Sequence, residues 1–142
     1  MKQQVIVDTG PIVALLDAKD RHHEWAVAQF ADVEPPLLTC ESVVSEACFL
    51  LDQTQAGSGA VFEMLRRQAM ALRFHLDEHL EEVHALRAKY SDVPMSVADA
   101  SLVRMAEQLN RSPVLTLDAD FRVYRKHGRH VIPLILPAVT RR

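Results

Sequence analysis

The chain has 142 residues, of which 49% are hydrophobic and 25% charged, the proportions of an ordinary globular domain and not of a disordered or fibrous chain. At this length a single domain over residues 1–142, built around one core, is expected. The 16 Lys and Arg against 19 Asp and Glu give a formal charge of -3, which excludes a uniformly basic nucleic-acid binder; any polyanion must be met locally.

The predicted elements alternate between short β-branched runs and longer helical patterns, the signature of βα units feeding a parallel sheet. Val5-Ile6-Val7 reads as a first, fully apolar strand. Thr9-Gly10-Pro11 turns the chain into a helix over Ile12–Leu16, with Pro11 suited to the first helical position. Glu24–Phe30 is a second short helix, and Pro35-Pro36 precedes a strand at Leu37-Leu38-Thr39. Glu41–Gln53 is apolar on nearly every side and is expected to be a well-buried helix. After Gly57-Ser58-Gly59, helical spacing resumes over Ala60–Leu72, and Arg73-Phe74-His75 reads as a short strand. An acid-rich start at Asp77-Glu78 opens a helix through Tyr90. Ser96–Leu109 is the clearest amphipathic helix, Val114–Leu117 a strand, Ala119–Tyr124 a short helix and Val131–Leu134 the last strand. Five strands with intervening helices give an α/β fold.

Cys40 and Cys48 have no CxxC spacing and indicate neither a disulfide framework nor a zinc knuckle, which fits a reducing cytoplasm. MKQQVIVD meets an acid after three apolar residues, too short for a signal-peptide core, and no run is long enough to span a membrane.

In open parallel sheets, ligands collect at the carboxyl ends of strands. Asp8 follows the first strand and Asp118 follows Val114–Leu117, so two carboxylates share one edge. Asp99 lies in the first turn of its helix and Glu46 early in a nearly apolar one. Four carboxylates in one cleft repel one another and stay ionised only if divalent cations neutralise them. Oxygen-only ligands suit Mg²⁺ or Mn²⁺, which support phosphodiester hydrolysis by activating water and stabilising the leaving oxygen.

Each acid also has a purely structural explanation. Ser96-Val97-Ala98-Asp99 fits a capping box, Asp8 before Thr9-Gly10 fits a turn, and Asp118 fits a helix cap. Glu46 fits an exposed stripe through Ser42, Ser45 and Gln53. The signal lies in the set.

Val7-Asp8-Thr9-Gly10-Pro11-Ile12-Val13-Ala14-Leu15-Leu16-Asp17 resembles the opening motif of PIN-domain proteins, and Val44–Leu51, Tyr90–Leu102 and Leu115–Phe121 resemble the family's second, third and fourth acidic motifs in order. The likeness is closest to VapC-type toxins. It implies a three-layer α/β/α domain with a mainly parallel five-stranded sheet, cleaving RNA with Mg²⁺ or Mn²⁺. Carried over by position, Asp8, Glu46, Asp99 and Asp118 become the four active-site acids. Asp8 and Asp99 are the firmest metal ligands, Asp118 a further ligand directly or through water, and Glu46 a ligand or an orienter of water. Thr9 would position Asp8 or a water through its hydroxyl, and Asp92 would help from the surrounding loop or be a solvated acid. Leu117-Asp118-Ala119-Asp120 offers two acids, and the Thr116-x-Asp118 arrangement favours Asp118 over Asp120. The resemblance also implies a VapB-type antitoxin and a homodimer.

Arg122, Arg125, Lys126 and Arg129 follow the fourth motif and either bind flanking phosphates or form a solvated basic helix end. Arg66-Arg67 and Arg141-Arg142 are weaker candidates. Trp25, Phe30 and Phe121 sit among apolar neighbours as core residues. His22-His23-Glu24 lacks the second His of HExxH because position 27 is Val, and the other histidines show no zinc-ligand spacing. An aspartyl phosphotransferase needs a second Asp two places after Asp8, where Gly10 stands. A silent PIN-like RNA-binding module, or a PIN nuclease of RNA processing without an antitoxin, are the alternatives to a toxin; a module has no need of four acids.

Overall fold

The computed structural model describes residues 4–138. Its elements run β1 (Ile6–Val7), α1 (Thr9–Leu16), α2 (His23–Asp32), β2 (Leu37–Thr39), α3 (Glu41–Leu51), α4 (Gly59–Arg66), β3 (Met70–Leu72), α5 (Leu80–Lys89), α6 (Val97–Gln108), β4 (Val114–Leu115), β5 (Arg125–Lys126), β6 (His130–Val131) and β7 (Leu134–Ile135). The main sheet has the order β3-β2-β1-β4-β7, and every pairing in it is parallel. Five parallel strands and the surrounding helices make the three-layer α/β/α arrangement expected from the alternating pattern.

The chain lays β1, β2 and β3 outward in one direction and then returns to place β4 and β7 on the other side of β1. The strand order therefore reverses at β1, where the two neighbouring connections diverge and leave a crevice beyond the carboxyl ends. Asp8 immediately follows β1 and stands at that crevice. The strands beneath it are fully apolar: Ile6, Val7, Val114 and Leu115 are completely buried, as strands covered on both faces must be. Helix α1 packs on α2, α3 and α4, α5 packs on α6, and α6 reaches β1. Phe121 and Tyr124 are the largest fully buried side chains, while Trp25 and Phe30 are partly buried against the core.

Several boundaries differ from the sequence expectation. The helix expected over Ala60–Leu72 ends at Arg66, Gln68 takes a left-handed φ of 62°, and Met70–Leu72 forms β3 in place of the strand expected at Arg73–His75. An apolar trio after an amphipathic helix continues its period, so no Gly or Pro marked the break. The α3 helix is not buried all round: Val43, Ala47 and Leu51 face the core, whereas Phe49 is 67% exposed. The last strand is Leu134–Ile135 rather than Val131–Leu134. Val131 instead belongs to an antiparallel hairpin in which Arg125 pairs with Val131 and Lys126 with His130. Residues 119–122 form a 3-10 turn and not a helix to Tyr124, and a 3-10 turn at Leu76–Glu78 precedes α5. Among the described residues, no helix is long and apolar enough to cross a membrane. Arg141 and Arg142 lie outside the described residues.

Candidate active site

Four elements deliver one carboxylate each to the crevice beyond β1. Asp8 caps α1, Glu46 lies in the middle of α3, Asp99 lies in the first turn of α6, and Asp118 follows β4. All four line one cavity of about 390 Å³, together with Thr9, Gly10, Leu50 and Leu117. Gly10 is required by close approach: a Cβ there would lie 3.2 Å from Cβ and Cδ1 of Leu117, so the missing side chain lets the first turn of α1 seat against the chain leaving β4.

Asp8 is the most buried of the four, only 7% exposed. Its Oδ1 accepts the Thr9 backbone N–H at 2.7 Å, and its Oδ2 accepts the Thr116 hydroxyl at 2.7 Å. The same Thr116 oxygen accepts the Asp118 backbone N–H at 2.9 Å. One hydroxyl thereby ties the ends of β1 and β4 together and sets the spacing of two acids that are 110 positions apart in sequence. Burial pushes the Asp8 carboxyl up from 3.8 to about 6, and the charges of Asp99 and Glu46 push the same way against the two hydrogen bonds. The remaining acids are more open. Burial, then the Asp99 and Asp118 charges, raise Glu46. Burial also raises Asp99, opposed by its bonds to Ser96 and assisted by Asp118 and Asp120.

Asp99 both completes a capping box and lines the cavity. The Ser96 hydroxyl oxygen accepts the Asp99 N–H at 2.9 Å, and Asp99 Oδ2 accepts the Ser96 N–H at 3.0 Å, a complete capping box. That box fixes the carboxylate at the start of α6, where it lines the cavity. Asp118 Oδ1 likewise accepts the Asp120 N–H at 2.9 Å while its side chain faces the same cavity.

The PIN-domain family model matches residues 5–127, from the first strand to the hairpin. The chain belongs to the PIN-domain family. Its PIN fold is also similar to the crystal structure of Mycobacterium tuberculosis VapC20, described as a sarcin-ricin loop cleaving toxin, with a TM-score of 0.75 and 21% identity, covering 92% of this chain and all of that one. No curated protein matches the sequence significantly.

Within this PIN domain the other sequence candidates separate clearly. The Thr9 hydroxyl makes no hydrogen bond to Asp8; it is the Thr9 backbone that does, and Thr9 Oγ1 is a buried polar atom without a partner among the described residues. Asp120 does not line the cavity, and Asp92 is exposed and lines no part of it either. Arg125 uses its guanidinium to cap the carbonyls of Arg122, Val123 and Tyr124, and Lys126 bonds the Asn110 carbonyl, so neither reaches the acids. Arg122 is exposed. Thr116 is the participant that sequence reasoning placed only as a marker for Asp118; the signal that would have found it is a buried hydroxyl two residues before a strand-end acid. Among the described residues, no three His, Cys, Asp or Glu side chains are drawn together as a ready metal-ligand set. The carboxylates ring the cavity, and Asp8, Asp99 and Asp118 are each held at their own wall by a local hydrogen bond from a backbone N–H.

Proposed function

We propose that this PIN domain is a Mg²⁺- or Mn²⁺-dependent endoribonuclease that hydrolyses RNA phosphodiester bonds, acting as the toxin partner of a VapB-type antitoxin and working as a homodimer. The observation that carries the reading is the cavity lined by Asp8, Glu46, Asp99 and Asp118, reached from four separate elements at the point where the strand order reverses.

The residues present fit a hard divalent ion. The donor set is entirely oxygen, the buried Thr9 hydroxyl is unpartnered, and Asp8 is pushed up by burial beside like charges, a condition that a cation relieves. Asp8, Asp99 and Asp118 would hold the ion, with Glu46 as a ligand or an orienter of water. When bound, such an ion activates water and stabilises the leaving oxygen of a phosphodiester. The chain's own contribution is placement. Thr116 and the Thr9 N–H keep Asp8 aimed into the cavity and favour its ionised form. The Ser96 backbone N–H anchors the Asp99 carboxylate, and the more exposed Glu46 is left as a ligand or to orient an approaching water. Four anionic side chains leave the cavity unfit for RNA without a cation, which makes metal binding and RNA binding interdependent.

The test is cleavage of a 5′-labelled single-stranded RNA in Mg²⁺, in Mn²⁺ and in EDTA, with Asp8→Asn and Asp99→Asn beside the wild type and circular dichroism to confirm folding. Cleavage is expected in either metal and is lost in EDTA and in both variants. Cutting that survives EDTA or both substitutions would place the chemistry elsewhere. Retention of RNA without cutting, with or without metal, would make the chain a silent binding module.

A further inference from the structure

A second depression of about 440 Å³ adjoins the acid cavity, and Asp99 lines both. Its other walls include Arg87 and Tyr90 at the end of α5 and Ser91, Met95 and Ser96 on the loop into α6. The chemistry changes sharply across the Asp99 seam. On one side stand four carboxylates; on the other, among the described residues, Asp99 is the only carboxylate, and the remaining polar side chains are one guanidinium and three hydroxyls.

Arg87 is held in place by its Nε, which donates to the Met95 carbonyl at 3.0 Å. Among the described residues its four terminal N–H groups have no hydrogen-bond acceptor and no ion-pair partner, while Arg66 and Arg104 are both paired with glutamates. The Tyr90 hydroxyl accepts the Arg125 backbone N–H at 2.9 Å and so retains its own proton for a ligand, and the Ser91 hydroxyl lines the same depression, whereas the Ser96 side chain is engaged by Asp99. The Tyr90 ring is not a free stacking platform: Lys89 Nζ lies over it at 5.3 Å and Tyr124 meets it edge-on. A preoriented guanidinium fork and two hydroxyl donors are the partners of a phosphate, not of a nucleobase.

We infer that this depression binds a backbone phosphate of the RNA strand next to the bond being cleaved, with Arg87 as the anchor that sets the strand's register over the acids. The inference rests on the nuclease reading above, because an isolated anion gains little beside Asp99, whereas a strand presents phosphates at fixed intervals to both depressions. Arg87 touches the strand away from the reacting phosphate, so it governs substrate binding and not the chemical step.

The decisive comparison is Arg87→Gln, which keeps an N–H for the Met95 carbonyl and removes the charge, against Arg87→Lys and the control Arg111→Gln, an exposed cation that lines neither depression. KM and kcat are read on the labelled RNA in Mg²⁺. Binding is read by anisotropy on the Asp8→Asn chain across a salt series, so that affinity is measured without cutting. Arg87→Gln is expected to raise KM and Kd about tenfold and leave kcat within about twofold. The salt slope for single-stranded RNA should fall by about 0.7, the loss of one phosphate contact. Arg87→Lys should restore the slope and part of the affinity, and Arg111→Gln should change neither. A wild type that cuts RNA while Arg87→Gln keeps its KM and salt slope would overturn this inference alone. A wild type that binds RNA with the Arg87-dependent slope but never cuts would overturn the nuclease reading and leave the phosphate subsite standing.

Discussion

Replacing Asp8 by Asn removes a buried charge without changing the shape of the side chain, and the consequence for stability can be worked from its surroundings. Burial holds the carboxyl near pH 6 instead of 3.8. Each tenfold change in acidity corresponds to about 1.4 kcal/mol, so ionised Asp8 costs the fold about 3 kcal/mol relative to its protonated form. Because the folded value is raised, this stability is fully present below pH 3.8 and disappears as the pH rises through about 6. Asn remains neutral throughout and keeps an oxygen for the Thr9 N–H. Its amide nitrogen, however, meets the Thr116 hydroxyl, which already accepts the Asp118 N–H, at a cost of about 1 kcal/mol.

Asp8→Asn is therefore expected to stabilise the metal-free protein by about 2 kcal/mol at pH 8 and to destabilise it by about 0.5 kcal/mol at pH 4, where the unfolded Asp is already half ionised. In a chain of this size that is a melting point higher by about 6 °C at pH 8 and lower by about 1.5 °C at pH 4. Thermal melts followed by circular dichroism in EDTA, from pH 4 to 8, read the crossing directly. Glu46 and Asp99, also raised, leave part of the wild-type pH dependence in the variant. A difference between the two proteins that does not vary with pH would refute the account of Asp8 as a buried, charge-strained acid.

Thr116→Val removes the donor that favours ionised Asp8, so the acidic limb of the cleavage rate should move to higher pH, measured as kcat/KM against pH with the Asp118 N–H also left without its acceptor. Ser96→Ala removes the hydroxyl half of the capping box and should cost about 1 kcal/mol by urea denaturation, while cleavage should fall no further than that loss of stability explains, because the Ser96 backbone N–H still holds Asp99 Oδ2. Tyr124→Phe loses the bond from a buried hydroxyl to the Pro94 carbonyl at 3.1 Å; it should lower stability by about 1 kcal/mol, again read by urea denaturation, with the acid cavity intact.

The parts of this fold that were legible in the sequence share a cause. β1, β2 and β4 are buried on both faces, so their apolar runs had no polar alternation to obscure them, and the acids that follow two of them could be placed on one edge before any geometry was known. β3 was displaced by three residues because Met70, Ala71 and Leu72 extend the apolar spacing of α4, and the break is made by a left-handed Gln68, a backbone state that a Gln does not advertise. The hairpin of β5 and β6 was hidden for a different reason. Its strands are two residues each, rich in Arg, Lys and His, and Gly128 alone hints at the turn. The expectation that α3 is buried all round failed because hydrophobicity counts cannot distinguish a core residue from an exposed one such as Phe49.

At the site itself, capping a helix and lining the cavity are compatible roles for one acid. Asp99 completes a capping box and lines the cavity; Asp118 caps a 3-10 turn and lines the same cavity; Asp8 caps α1 and is buried at its centre. The two roles reinforce each other. A carboxylate at a cap has lost its rotamer freedom to the backbone, so it needs no further ordering to meet a ligand, and a capped helix gives that orientation a rigid mount. The same logic explains why the spacing of Thr116 points to Asp118 and not to its bond with Asp8. It has no charge to attract attention, and its importance lies only in joining Asp8 to the backbone of Asp118 across two neighbouring strands, a connection that parallel pairing creates and that linear spacing cannot display.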